Sequence, residues 1–279
     1  MGLGKDLQEE FEKLTRGREY GEVELFTKLQ DSFIELSCKA VGYNISLIHG
    51  NRSMVKFPIS NLWMNGVKVG EIRQCELSDM LFIIYDAMKT ECRMFFMQNK
   101  SSKRSKKERF KANLIQLDLL SSGSEFCDLN SRKKCTVLKN AEVKSIATYG
   151  VFYKKGISYN MKYYSADLLQ PVSAKGNGKE RVVKFNGMLN RIRQSIHKKI
   201  EDYEGTENLE KFGTAIEELR IGEPIGRKTI IKLKRQFNNI PTELLKLDFS
   251  EMDYEQGDED NFTVSTNTVC FIQVNTLKE

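Results

Sequence analysis

Ser78-Asp79-Met80-Leu81-Phe82-Ile83-Ile84-Tyr85 and, after a polar connection, Arg93-Met94-Phe95-Phe96-Met97-Gln98-Asn99-Lys100 decide how this chain folds. Each run is almost continuously apolar yet only strand-long, the pattern of a strand covered on both faces. The link Asp86–Glu91 is short and polar, so Asp79–Tyr85 and Arg93–Gln98 are expected to form a β-hairpin. With the turn centred on Met88-Lys89, Asp79 falls directly opposite Gln98. Directly opposed side chains in an antiparallel pair have Cβ atoms about 4.5–5.5 Å apart. Lys100 projects to the same face as Gln98, because strand side chains repeat every two residues. Asp79, Gln98 and Lys100 are therefore expected to converge at one end of an apolar hairpin.

Outward from the hairpin, Leu25, Phe26, Leu29, Phe33 and Leu36 recur at helical spacing and predict a helix over 22–38, after the breaker Gly21. Residues 42–65 hold short apolar pieces without a clear period. Val67–Ile72 alternates like a strand, Lys106–Leu120 has Phe110, Leu114 and Leu117 at helical spacing, and Val143–Tyr153 reads as a strand. The expected order of helix, three strands, helix and strand is an α/β core with a central mixed sheet. A loose stretch at Pro171–Lys179 divides residues 1–170, the core, from 171–279, read as an α/β extension or a continuation of the same domain. In that second part, helices are expected at 183–203 and 207–219, then a turn at Gly222–Arg227 and a basic amphipathic piece to Phe237. Asp248–Asp260, with seven acids and no cation, reads as a solvated loop, and Thr268–Val274 as a final strand.

Composition removes whole classes. Of 279 residues, 40% are hydrophobic and 10% aromatic, enough for a core, and four Pro exclude collagen-like sequence. The six Cys lack any CxxC pair and sit mostly in apolar runs, which predicts buried reduced thiols and a cytoplasmic protein. The first residues carry no apolar signal-peptide region, and no apolar stretch reaches the roughly 20 residues of a membrane span. Two His, with no GxxxxGK[ST] and no GxGxxG, leave chemistry to carboxylates, amides and lysines. The net charge of +6 is local: seven cations and one acid lie between Lys100 and Lys111, so the rest of the chain is neutral.

A carboxylate and an amide oxygen suit a hard cation such as Mg²⁺, which takes oxygen ligands and keeps several waters. A lysine beside them can orient or deprotonate an attacking water, or neutralise charge developing on phosphate. Ser78-Asp79, an apolar strand, a turn, and Gln98-Asn99-Lys100 closing the next strand resemble the PD-(D/E)xK nuclease superfamily, the restriction-endonuclease-like fold, over roughly residues 20–155. Ser stands where the motif name has Pro, and Gln98 makes this the Q-x-K variant; glutamine offers a metal an oxygen but no charge. The resemblance implies a restriction-endonuclease-like core, Mg²⁺ or Mn²⁺ as cofactor, and Asp79, Gln98 and Lys100 as catalytic residues. It also implies an acid from the first helix. Glu22 lies near the centre of the apolar stripe and is the candidate third ligand, with Glu24 as fallback; an acid favourable to the helix dipole is the competing reading. Glu76 and Gln116 are candidates for supporting positions beside the site, against the reading that both are solvated.

The basic window begins at Lys100, and helix stability does not explain cations at the start of a following helix. Phosphate does. Lys103, Arg104, Lys106, Lys107, Arg109 and Lys111 are expected to hold a nucleic-acid backbone. The expected function is a divalent-metal-dependent endonuclease, a hydrolase acting on DNA rather than RNA, of the kind that serves in restriction or anti-phage defence, with room for a protein partner or self-association and no membrane association. The alternative is a non-catalytic nucleic-acid-binding or assembly subunit that keeps a degenerate nuclease fold.

Overall fold

A computed structural model describes residues 2–39, 43–49, 54–61, 66–86, 88, 91–102, 109–122, 126–128, 147–172, 179–186, 205–236, 240–247 and 266–274. In chain order the elements are α1 Leu3–Leu14, α2 Glu22–Lys39, β1 Tyr43–His49, β2 Met54–Pro58, β3 Ile72–Glu76, β4 Ser78–Asp86, β5 Glu91–Ser102, β6 Arg109–Asn113, α3 Leu114–Ser122 and β7 Cys127–Asp128. They continue with β8 Ala147–Lys155, β9 Ser158–Ser165, a 3₁₀ turn Ala166–Leu168, β10 Leu169–Pro171, β11 Glu180–Phe185 and β12 Gly205–Thr206. The last are α4 Leu209–Glu217, β13 Glu223–Pro224, α5 Arg227–Gln236, α6 Thr242–Leu245 and β14 Thr266–Val274.

The hairpin forms in the expected register, with Met80 opposite Met97 and Asp86 opposite Glu91. It is the middle of a mixed sheet ordered β1-β14-β4-β5-β8-β9-β12, with β13 added beside β5. β14 and β8 run parallel to β4 and β5 respectively, and the other neighbours along this order are antiparallel. Both sheet faces are covered, so nearly every residue of β4 is buried. On one face Met80, Phe82, Phe95 and Met97 pack with Leu7 and Phe11 of α1, Leu29 and Phe33 of α2, and Phe212 of α4. On the other, Leu81, Ile83, Phe96 and Tyr149 pack with Leu114 and Leu117 of α3 and Phe110 of β6. The strands adjoining β4 thus include one from the far end of the sequence: β14 separates β1 from β4.

Three expectations change. Val67–Ile72 is not a strand; Gly66 and Gly70 have positive φ in a turn-rich link, and the strand begins at Ile72 and pairs with β2 outside the main sheet. Lys106–Leu120 is not one helix. Phe110 and Ala112 are buried between exposed Arg109 and Lys111, a period of two, so this part is β6. The helix starts only at Leu114, where Asn113 Oδ1 accepts from Ile115 N–H at 3.0 Å. The helical spacing of Phe110 and Leu114 therefore spans a strand–helix junction. The helix expected at 183–203 is overturned at its start, where Val183 is buried and Val182 exposed in β11, paired with β6; residues 187–204 lie outside the described residues, as does Asp248–Asp260. Helix α1, strands β9 and β10 and helix α6 are among the elements without a counterpart in the sequence reading, although Leu3, Leu7 and Phe11 form a buried stripe on α1.

Among the described residues Cys75, Cys92 and Cys270 are buried free thiols, whereas Cys38 is free and exposed. No described helix is long and apolar enough to cross a membrane.

Helix α3 is wrapped by protein, and its one acid has a structural task. Asp118, 1% exposed, accepts from Ser60 N–H at 2.8 Å, Asn61 N–H at 2.8 Å and Asn61 Nδ2 at 2.7 Å. This carboxylate ties the loop after β2 to the helix that backs the hairpin. Asp118→Ala takes this carboxylate from three part-buried donors and is expected to cost about 2 kcal/mol in urea unfolding. A loss below about 1 kcal/mol would refute that role.

Candidate active site

The site is built on the β4–β5 register. Asp79 sits one residue inside the start of β4, and Gln98 lies opposite it, so Gln98 Nε2 donates to Asp79 Oδ2 at 2.7 Å. The same oxygen accepts from the backbone N–H of Asn99 at 2.7 Å. Lys100, two residues further along β5, donates from Nζ to Glu22 Oε1 at 2.9 Å, and Ser101 N–H donates to Glu22 Oε2 at 3.0 Å. Glu22 heads α2, where a carboxylate is also favourable to the helix dipole. Two carboxylates, one amide and one ammonium are thus strung along the end of β5.

Glu24 is not part of this group. Its Oε2 accepts from Gly21 N–H at 2.7 Å, closing the helix start. Gln116 is part of it: only 6% exposed, it donates from Nε2 to Gln98 Oε1 at 2.6 Å and to the backbone carbonyl of Glu76 at 3.0 Å. Glu76 thus contributes its main chain to the group. Arg109 and Lys111 lie exposed on β6, and Lys103, Arg104, Lys106 and Lys107 fall outside the described residues.

The amide directions follow from which groups can only accept. The Glu76 carbonyl has no hydrogen to give, so it faces the Gln116 NH₂. That NH₂ also donates to Gln98 Oε1, and the Gln98 NH₂ is left to face Asp79. A polarised chain results, and it aims a donor at Asp79. Burial lifts the Asp79 carboxyl above the ordinary aspartate range; the Asn99 N–H and the Lys100 charge pull it down, Glu76 pushes it up and Gln98 pulls it down, and burial wins.

Sequence reasoning missed two contributors. The backbone N–H groups of Asn99 and Ser101 have no side-chain signature. Tyr149, next to Gln98 across the β5–β8 pair, is fully buried, and its hydroxyl has no hydrogen-bond partner among the described residues. Burial, then Cys75 and Asp79, hold its phenol well above the usual range. Only its place beside Gln98 in a parallel pair marks it, and that pairing is non-local.

No group of three or more His, Cys, Asp or Glu able to hold a metal ion occurs among the described residues. The donor chemistry nevertheless fits a hard cation. Asp79 and Glu22 would supply carboxylate oxygens, and Gln98 would supply an amide oxygen once its amide turned over. Comparison with protein-family models, with curated proteins and with solved structures finds no match. The class that the molecule itself defines is a mixed α/β protein with a central mixed sheet flanked by helices.

Proposed function

We propose that this chain is a divalent-metal-dependent nuclease with a restriction-endonuclease-like core, hydrolysing phosphodiester bonds in DNA. The observation that carries the reading is the pairing of Asp79 with Gln98 beside that of Lys100 with Glu22, at one end of one hairpin. A Mg²⁺ or Mn²⁺ ion at these oxygens would supply an acidified water and charge neutralisation on the phosphate. Asp79 and Glu22 are the negative charge that retains it. Lys100, held by Glu22, sits where it can orient the attacking water or stabilise charge on a phosphate oxygen. Its side chain is 18% exposed and that of Glu22 40%, so the pair is open to a substrate at the surface.

Plasmid incubated with the purified protein and Mg²⁺ or Mn²⁺ is expected to be cut. Lys100→Ala is expected to lower the rate at least about 100-fold, the range seen when one positioned charge or donor is removed. Cleavage that continues at the wild-type rate in both Lys100→Ala and Asp79→Ala would end this reading. One observation favours a second reading, a nucleic-acid-binding subunit that keeps the fold without cutting: Gln98 offers Asp79 a hydrogen instead of offering a metal an oxygen. Calorimetry with Mg²⁺ separates the two, because a scaffold of that kind binds none.

A further inference from the structure

Strands β6, β11 and β10 form a separate three-stranded antiparallel sheet. Its inner face, with Phe110, Ala112, Val183 and Leu169, is buried, and the Phe110 ring lies 5.5 Å from that of Tyr149, the neighbour of Gln98. This sheet therefore lies against the part of the main sheet that carries the candidate site. Its outer face follows from the register. Arg109 is directly opposite Lys184, with Gln170 beyond; Lys111 is opposite Val182; Asn113 is opposite Glu180.

Placing Arg109 across from Lys184 works against folding, since like charges directly opposed in a sheet destabilise it. No described acid pairs with Arg109, Lys111 or Lys184. The face is also graded. The double-cation row is at the end where Ser102 Oγ reaches the carbonyl of Arg109 at 3.4 Å, two residues past Lys100, while the acid Glu180 is at the far end. The candidate site meets both ends of this sheet, through Lys100 and Ser102 at the Arg109 row and through Gln116, three residues past Asn113, at the other. A polyanion laid along the sheet and into the site would relieve the repulsion.

We infer that the outer face of β6–β11–β10 is a docking surface for the backbone of duplex DNA, with Lys184 as a phosphate contact alongside Arg109 and Lys111; this rests on the nuclease reading above. Duplex is favoured over single strand because single-strand surfaces stack bases on exposed aromatic rings. The well-exposed large apolar residues on this face are Val172 and Val182, and no aromatic is among those of the described residues. The face measures about 10 Å by 17 Å, matching about half of a duplex turn.

The test is fluorescence anisotropy with a short labelled DNA duplex in EDTA across a salt series, so that no strand is cut. The triple variant Arg109→Ala, Lys111→Ala, Lys184→Ala is expected to bind at least about tenfold more weakly, with the salt slope reduced by about 2–3. The charge-matched variant Lys5→Ala, Lys13→Ala, Lys211→Ala, on α1 and α4, is expected to bind as wild type within a few-fold. Thermal melting checks that both variants are folded. Equal weakening by the two triples, or tighter binding of a single strand that the sheet triple leaves untouched, would overturn the assignment. Wild-type cleavage of plasmid with Mn²⁺, together with unchanged duplex binding by the sheet triple, overturns the docking surface alone. Neither binding nor cleavage by wild type overturns the nuclease reading and this one with it.

Discussion

Asp79→Asn is expected to lower phosphodiester cleavage by about 1000-fold or more, while leaving the protein at least as stable as wild type at neutral pH. The loss of activity follows from removing the buried charge nearest to Gln98. The stability follows from the cost of holding that charge. Burial raises the Asp79 carboxyl above its unfolded value even though two N–H groups donate to it. A group whose folded form binds its proton more readily penalises the folded state at pH above the raised value. That penalty shrinks as pH falls toward the ordinary aspartate value near about 3.9, where both states are protonated. Asparagine carries no such penalty. Urea unfolding of the two proteins should therefore show an advantage for Asp79→Asn at pH 7 that fades as the solution is acidified. A variant that is inactive and clearly less stable at pH 7 would mean that Asp79 serves the fold rather than chemistry.

The second large effect is expected at Gln98→Glu. Gln116 keeps its donor toward position 98, because a carboxylate oxygen accepts as well as the amide oxygen does. The other oxygen then faces Asp79 where an N–H had been 2.7 Å away. Two carboxylates so close cannot both ionise freely, so the metal-free variant is expected to hold a shared proton. A divalent ion relieves the repulsion and displaces the proton. Mg²⁺ or Mn²⁺ affinity is expected to rise at least about tenfold over wild type, since ligand charge tunes such sites. Calorimetry in buffers of different ionisation enthalpy should also register proton release absent from wild type. Metal affinity no higher in Gln98→Glu than in wild type would show that this position does not face a metal. Gln116→Leu provides a companion measurement: freed from its partner, the Gln98 amide can turn its oxygen toward Asp79, and affinity should rise by a smaller factor.

The parts of the site legible in the sequence were those set by local rules. A two-residue side-chain period and a short polar turn place Asp79 against Gln98, and Lys100 on the same face, without knowledge of any neighbour. Glu22 at the helix start was legible as an acid on the apolar stripe, although its contact with Lys100 and Ser101 needed the helix to pack beside β5. Gln116 was ambiguous for a similar reason. Period and composition do not distinguish a solvated glutamine from one buried between Gln98 and a main-chain carbonyl. Lys106–Leu120 misled because one residue set fits two periods: Phe110, Leu114 and Leu117 suit a helix, while Arg109 to Ala112 alternate as a strand. The pairing of β6 with β11 is what the alternation serves.

By itself the sequence determined the hairpin, its register and the strip of cations that carries the whole net charge, because apolar period, turn length and charge placement are local. Only the tertiary structure decided that β14 enters between β1 and β4, that Gln116 directs a hydrogen of Gln98 toward Asp79, and that Lys184 stands opposite Arg109. Each of these joins residues far apart in the chain or depends on the direction of a buried amide. Such choices are settled by long-range strand pairing and by satisfying buried polar groups, neither of which leaves a periodic trace in the residues themselves.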